Sequence, residues 1–373
     1  TDSSTPLWTF EIDDTADNLA SVAISADGNY IVAGRKDGQS NGGEVYVWRK
    51  NSSTPLWSYL TGGDVYSVDI SADGEYVVAG STDNKVYLFE KDSNTPLWSY
   101  TTSHDVRTVA ISADGEYIAA GSRNNKVYLF DKDSNTPLWS YTTGNYVISV
   151  AISADGEYVI AGSADDIFYV FSRQNNTPLW TYDFDTVPKV VAISGNGEYI
   201  AVGTNDDTVV LFSKDSNVSL WTYEIGGANV DAIAISADGE YIAATSENDK
   251  LYLFDKDSGT PLWSFSGGSH WGTALAISAD GEYIVAGGRP NDKKIYLFDK
   301  DSSTPLWNYT TGHTVHSVSI SADGEYIVAG SADDKVYFFD KDSSTPLWSY
   351  TTQHNVRSVS ISADGKYITA GSE

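Results

Sequence analysis

Apolar and polar positions alternate along this chain in bursts of five to seven residues, each bounded by Gly, Asp, Asn, Ser or Pro. That length and period predict β-strands, and no segment carries the three-to-four-residue return of a helix. The bursts recur in a fixed order. T-P-L-W-S-Y places a tryptophan at Trp8, Trp57, Trp98, Trp139, Trp180, Trp221, Trp263, Trp307 and Trp348. V-x-I-S-A-D-G follows, with isoleucine at Ile24, Ile70, Ile111, Ile152, Ile193, Ile235, Ile277, Ile320 and Ile361. E-Y-I-V-A-G-S comes next, then K-V-Y-L-F-D-K-D, centred on residues such as Tyr87 and Tyr128. The counts are nine, nine, nine and eight, at a spacing of about 41 residues.

We name the strands a (V-x-I-S), b (E-Y-I-V-A-G), c (K-V-Y-L-F) and d (T-P-L-W-S-Y). Asp-Gly between a and b predicts a tight hairpin, because glycine tolerates positive φ there. In strand c, Val86 and Leu88 point one way and Tyr87 and Phe89 the other, so both faces are apolar and require burial between sheets. Strand d carries proline in eight of nine copies and belongs at a sheet edge. Four-stranded antiparallel sheets of this kind, repeated along one chain, predict a closed all-β propeller occupying residues 1–373 as one domain. Nine a strands predict nine blades, the last shared between the N-terminal strand d and the C-terminal strands a and b. That shared blade lacks a strand c, which leaves open a continuation of the natural chain past Glu373, self-association through the slot, or a defective last blade. Eight complete blades with free ends is the alternative.

The tryptophans of strand d are expected to wedge between adjacent blades. Trp57, Trp98, Trp139, Trp180, Trp221, Trp263, Trp307 and Trp348 are therefore assigned to blade docking, each worth on the order of 2–3 kcal/mol by buried area.

Composition narrows the partners. The 51 acidic and 23 basic residues give a formal net charge of -28, which disfavours nucleic acid and anionic lipid. No apolar run approaches the ~18 residues of a membrane helix, so membrane insertion is not expected. Cysteine and methionine are both absent, and the first residue is Thr1. A processed or excised chain living outside the cytoplasm, secreted or at a cell surface, fits those features. Asn51, Asn175, Asn217 and Asn308 lie in N-x-S/T sequons, a few of which chance supplies in so Asn- and Ser-rich a chain.

Strands a to c, as in V-A-I-S-A-D-G-E-Y-I-A-A-G-S-R-N-N-K-V-Y-L-F-D, resemble a WD-type repeat with Phe130 at that family's tryptophan. The c–d portion V-Y-L-F-D-K-D-S-G-T-P-L-W-S-F is similar to the PQQ-type repeats of quinoprotein dehydrogenase propellers, Trp263 being the docking tryptophan. Both resemblances imply a propeller and neither fixes an activity. The WD-family histidine has counterparts only at His104, His270, His313 and His354. A chain without cysteine cannot hold the vicinal pair typical of quinoprotein alcohol dehydrogenases, so no quinone cofactor is expected.

Loop lengths distinguish the two faces. Strand c lies 11 residues before the next tryptophan in every copy, from Tyr46–Trp57 to Tyr337–Trp348, and the a–b turn never changes length. Differences fall in the d–a and b–c loops: Trp8–Ile24 spans 16 residues where Trp98–Ile111 spans 13. The residue leading into strand a varies most: Ala20, Tyr66, Arg107, Ile148, Lys189, Asp231, Thr273, His316 and Arg357. Trp271, Tyr146 and the insert Arg35–Glu44 flank it. This mouth, with Tyr66, Arg107, Ile148, Lys189, Asp231, Trp271, His316 and Arg357, is the expected ligand-binding surface for a protein, peptide or glycan. Unrestrained loop drift is the competing explanation.

The remaining motifs carry little chemistry. D-K-D-S-[SNG]-T imitates the start of a calcium loop but lacks its sixth-position Gly and distal Glu, so an Asx turn explains it and no metal is assigned. His313 and His316 share a loop without a third ligand. No phosphate loop or nucleophile elbow occurs, and the strongest departures from the repeat are scattered over different blades. The expected function is therefore a non-catalytic interaction or structural propeller without cofactor. The alternative is a degenerate quinoprotein-like or hydrolytic enzyme using the channel.

Overall fold

The computed structural model describes residues 5–10, 17–37, 42–227, 229–267 and 271–372, and every regular element among them is a strand. β1 (Asp17–Ile24), β2 (Tyr30–Asp37), β3 (Glu44–Arg49) and β4 (Trp57–Leu60) pair antiparallel in chain order, as strands a to d of one blade. The unit recurs from β5–β8 to β29–β32, giving eight four-stranded blades. A ninth sheet holds only β33 (Val356–Ile361) and β34 (Ile368–Ser372).

The a–b turns close the ring. In most S-A-D-G turns the alanine amide donates to the same alanine's carbonyl in the next blade, from Ala26 to Ala72 at 3.0 Å and from Ala72 to Ala113 at 3.0 Å. The S-G-N-G turn of blade 5 donates from Asn196 N to the Ala237 carbonyl at 3.1 Å. Across the closure Ala322 donates to Ala363 at 3.0 Å, and Ala363 donates back to Ala26 at 3.2 Å. The partial sheet therefore sits between blades 8 and 1, and the ring comprises eight complete blades and a ninth partial one. The eight-blade alternative counts the same complete blades.

Each blade is buried by its neighbours. Val86, Leu88 and Phe89 of strand c are fully buried and Tyr87 is 2% exposed, as its two apolar faces demand. Val45 and Val47 of blade 1 pack with Tyr87 and Phe89 of blade 2, so the Val/Leu face of one strand c meets the aromatic face of the next. Seven of the eight tryptophans assigned to blade docking reach the following blade. Trp57 Nε1 donates to the Lys91 carbonyl at 2.8 Å, and its ring centre lies 4.9 Å from that of Phe89. Trp98, Trp139, Trp180, Trp221, Trp263 and Trp307 repeat that hydrogen bond to the carbonyls of Lys132, Arg173, Lys214, Lys256, Lys300 and Lys341. Trp348 instead stacks at 5.2 Å on Phe338 of its own blade.

The Asp-Gly turn does more than reverse the chain. Gly115 has φ 74°, and a Cβ there would lie 2.6 Å from Cδ2 of Tyr76 in the preceding blade. Glycine is thus needed for the turn and for the neighbouring tyrosine. Ser112 Oγ donates to Asp114 Oδ1 at 2.6 Å and accepts the Tyr117 amide at 3.0 Å, which fixes the hairpin.

The N-terminal segment, expected as the outer strand of the ninth blade, is not a strand, since no strand c among the described residues stands between it and β34. Its side chains still take the strand-d position. Trp8 Nε1 donates to the Lys50 carbonyl at 2.8 Å, and Phe10 lies 5.3 Å from Trp48, ring centre to ring centre.

Candidate functional site

Strand a is the innermost strand of every blade, so its two ends define the two ends of the central channel. Its inward edge would leave backbone amides unpaired, and hydroxyls of the preceding blade accept several of them. Ser67 Oγ accepts Val109 N at 3.3 Å, Thr108 Oγ1 accepts Val150 N at 3.3 Å, and Ser317 Oγ accepts Val359 N at 3.2 Å.

At the start of strand a the structure brings most of the predicted mouth residues into contact with one another. Tyr66 receives Lys36 of the preceding blade and Arg107 of the following one, each 4.0 Å from its ring centre. Arg107 Nη2 donates to Asp105 Oδ2 at 3.1 Å, and Arg123 lies 4.0 Å from the same oxygen. Arg123 also stands over Tyr146 at 5.6 Å. Lys189 Nζ donates to Asp231 Oδ1 at 3.0 Å while Arg289 Nη2 approaches Asp231 Oδ2 at 3.4 Å; the carboxylate is only 2% exposed. His316 Nε2 and Arg357 Nη1 lie 3.0 Å apart. Ile148, half-buried, separates Arg107 from Lys189 in ring order and joins no polar group. Trp271 opens strand a of blade 7 (Trp271–Ile277), but its side chain, Thr273's side chain, His270 and residues 38–41 of the long insert lie outside the described residues.

Lys36, Arg123 and Arg289 are functional candidates that sequence reasoning missed. Arg123 and Arg289 lie just beyond strand b, and Lys36 near the end of the longer strand b of blade 1. Their column reads Lys36, Thr82, Arg123, Ala164, Asn205, Glu247, Arg289 and Ala332. That column pairs with the residue before strand a, as in the 2.9 Å bond from Arg123 N to the Asp105 carbonyl. Reading it beside the first column would have found them. Among the described residues, the two columns carry Lys36, Arg107, Arg123, Lys189, Arg289 and Arg357 against Asp231 and Glu247. Within these two columns the chain's overall 51-to-23 acidic excess is reversed, although Asp105 beside them pairs with Arg107 and Arg123.

The other end of the channel is apolar. A cavity of about 480 Å³ is lined by Ala110, Ile111 and their counterparts in blades 4 to 7, with Asp69 as its one charged group. Asp69 stands where other blades place alanine or serine. Its carboxylate accepts the Ile70 amide at 2.9 Å and the Ile111 amide at 3.1 Å. Burial pushes its pKa up to about 6, more than the two amide donors pull it down. A single letter in the V-x-I-S string was the available signal, and it reads as drift.

The c–d loops behave as Asx turns: Asp131 Oδ1 accepts the Asp133 amide at 2.9 Å, and Lys132 pairs with Asp133 at 2.9 Å and Glu116 at 3.4 Å. Among the described residues, no group of three or more His, Cys, Asp or Glu is placed to hold a metal ion.

Comparison with known proteins bears on the repeat. Residues 205–370 match the sequence profile of the outer membrane protein assembly factor BamB, a PQQ-type repeat family, and residues 66–192 match a family of unknown function, DUF5711. No curated protein sequence matches the chain. A crystal structure of the computationally designed Ika8 protein superposes with a TM-score of 0.69 at 16% identity, covering 89% of this chain and 98% of that one. Likeness of this kind, shared with 1854 solved chains, marks a shape and leaves activity open. Blade architecture, repeat strings and profile match together show a β-propeller whose repeats resemble the PQQ type, the profile match covering residues 205–370.

Proposed function

We propose that the chain is a non-catalytic interaction propeller that takes an acidic stretch of a protein or peptide at its channel mouth. The carrying observation is the local reversal of charge: six cations line the two inner columns of a protein whose formal charge is -28. Arginine side chains held by neighbours are pre-organised donors for carboxylates, and Arg107 and Arg289 are held in this way. The arrangement favours peptide over glycan. Sugars are gripped by open aromatic faces, whereas Tyr66 already carries a cation from the blade on either side. The channel's other end lends no support to catalysis, since Asp69 is lined there by alanine and isoleucine and lacks a second polar group to share acid–base work. A place at the cell envelope or outside it accords with the partial likeness to an outer membrane assembly factor.

A fluorescently labelled hexaglutamate peptide tests the reading by anisotropy. Saturable binding that weakens as salt is raised is expected. Tyr66→Ala with Arg107→Ala should weaken it about tenfold or more. Absence of binding at low salt, or binding indifferent to the double substitution, overturns it. Turnover in a broad substrate screen, with and without metal and quinone, would revive the enzymatic alternative.

A further inference from the structure

The end of the channel away from the mouth combines an apolar wall with a single carboxylate. Before its isoleucine, strand a carries alanine or serine in eight of nine copies, from Ala23 to Ser360, and aspartate only at Asp69. The cavity there, about 480 Å³, has the size of a pocket for a small organic molecule. Ala110, Ala151, Ala192, Ala234 and Ala276, each followed by isoleucine, form its wall, and no second charged group lines it.

Asp69 remains able to bind. Its side chain is half-buried, and its two oxygens accept the Ile70 and Ile111 amides at 2.9 and 3.1 Å. Each oxygen keeps a lone pair for a further donor. Among the described residues no lysine, arginine or histidine pairs with it. An ionised carboxylate in apolar surroundings is costly until a cation meets it.

The approach to the cavity carries a matching charge. The hydrogen bonds between turn alanines run round this opening, and an aspartate follows the ring residue in eight of nine a–b turns, Asn196 being the exception. Lysines on this face are held by glutamates of the same turns, as in Lys132–Glu116 and Lys256–Glu240. Such an opening draws cations and repels anions, the reverse of the mouth.

We infer that the channel floor binds a small organic ammonium ion, with its N–H on Asp69 and its hydrocarbon body against the alanine and isoleucine wall. A bare metal ion fits less well. Calcium takes about six to eight oxygen ligands and zinc about four ligands, whereas this wall offers one carboxylate and hydrocarbon. An alkylammonium ion needs one counter-ion and apolar cover, and the cavity holds both.

Cyclohexylammonium titrated into the full chain tests this by calorimetry. At about pH 7.5 the amine is charged and Asp69, with a pKa of about 6, is ionised. Saturable binding with a Kd below about 10 mM is expected, together with shifts of the Ile70 and Ile111 amide resonances. Cyclohexanol, neutral and of similar shape, should bind about tenfold more weakly. Asp69→Ala installs the residue that most other blades carry, so circular dichroism should stay unchanged while ammonium binding weakens by a similar factor. Asp69→Ala with Ala110→Asp moves the carboxylate one blade along the same wall and should restore binding. The inference is overturned if the ammonium ion does not saturate, if cyclohexanol matches it, or if Asp69→Ala binds as well as the parent. It is also overturned if the moved carboxylate restores nothing, since Asp69 would then serve only as acceptor for the two amides.

Discussion

The two ends of strand a obey different rules, although six residues separate them. At the a–b turn all blades but the fifth, which carries Gly195 and Asn196, repeat one set of contacts. A serine sits on an aspartate and a glycine under the preceding blade's tyrosine, with an alanine amide on the next alanine wherever the fifth blade is not involved. At the mouth no two adjacent blades match, and side chains meet in local groups such as Lys189–Asp231–Arg289. The difference follows from packing. A side chain buried between blades contacts another copy of the repeat, so changing it alone leaves a void or a clash. A mouth side chain touches one or two neighbours and water, so each blade can differ. The sharpest way to break this comparison is Trp139→Ala. It removes a side chain 7% exposed, packed at a tilt 5.0 Å from Phe171 and bonded to the Arg173 carbonyl. Destabilisation of about 3–5 kcal/mol is expected, read from the denaturant midpoint. A loss under about 1 kcal/mol would mean that the wedges are not what holds adjacent blades together.

Asp69 gives the next effect, because it puts a carboxylate at a position where the other blades have alanine or serine. Its pKa in the folded chain is about 6, against 3.8 for an ordinary aspartate. Folding therefore takes up a proton between those values, and stability falls as pH rises through that window. The loss is at most about 2–3 kcal/mol. Asp69→Asn should flatten this part of the stability profile while leaving the remaining carboxylates' contribution in place. Equal slopes for parent and variant between pH 4 and pH 6 would show that water reaches the carboxylate and that the channel floor is not apolar to it.

Much of this architecture was legible before any coordinates. Strand order, the double-sided burial of strand c and the docking of the tryptophans each recur eight or nine times, so a periodic reading recovers them. The two-stranded ninth sheet was legible from the same counts. The mouth was only half legible. Tyr66, Arg107, Lys189 and Asp231 stand beside V-x-I-S in one column, whereas Lys36, Arg123 and Arg289 belong to a second column at the end of strand b that gains meaning only once strands a and b are paired. Trp48, Phe338 and Asp69 escaped for another reason. Each is one conservative-looking or isolated change inside a repeated string, and only its neighbours across the blade interface or channel give it meaning.

The smallest expected effect bears most directly on function. Arg107 stacks on Tyr66, bonds to Asp105 and is partly open to solvent, so it has the contacts of a structural residue. Exposed pairs and stacks of this kind are worth about 0.5–1 kcal/mol or less. Tyr66 keeps Lys36 when Arg107 is removed, and Asp105 keeps Arg123. Arg107→Ala should therefore change stability by no more than about 0.5 kcal/mol. If so, the arginine is dispensable to the propeller, and any binding it supports is a property laid over the fold. A cost above about 1.5 kcal/mol would make Arg107 an interblade strut like the tryptophans. The two ends of strand a would then differ in sequence variety but not in kind.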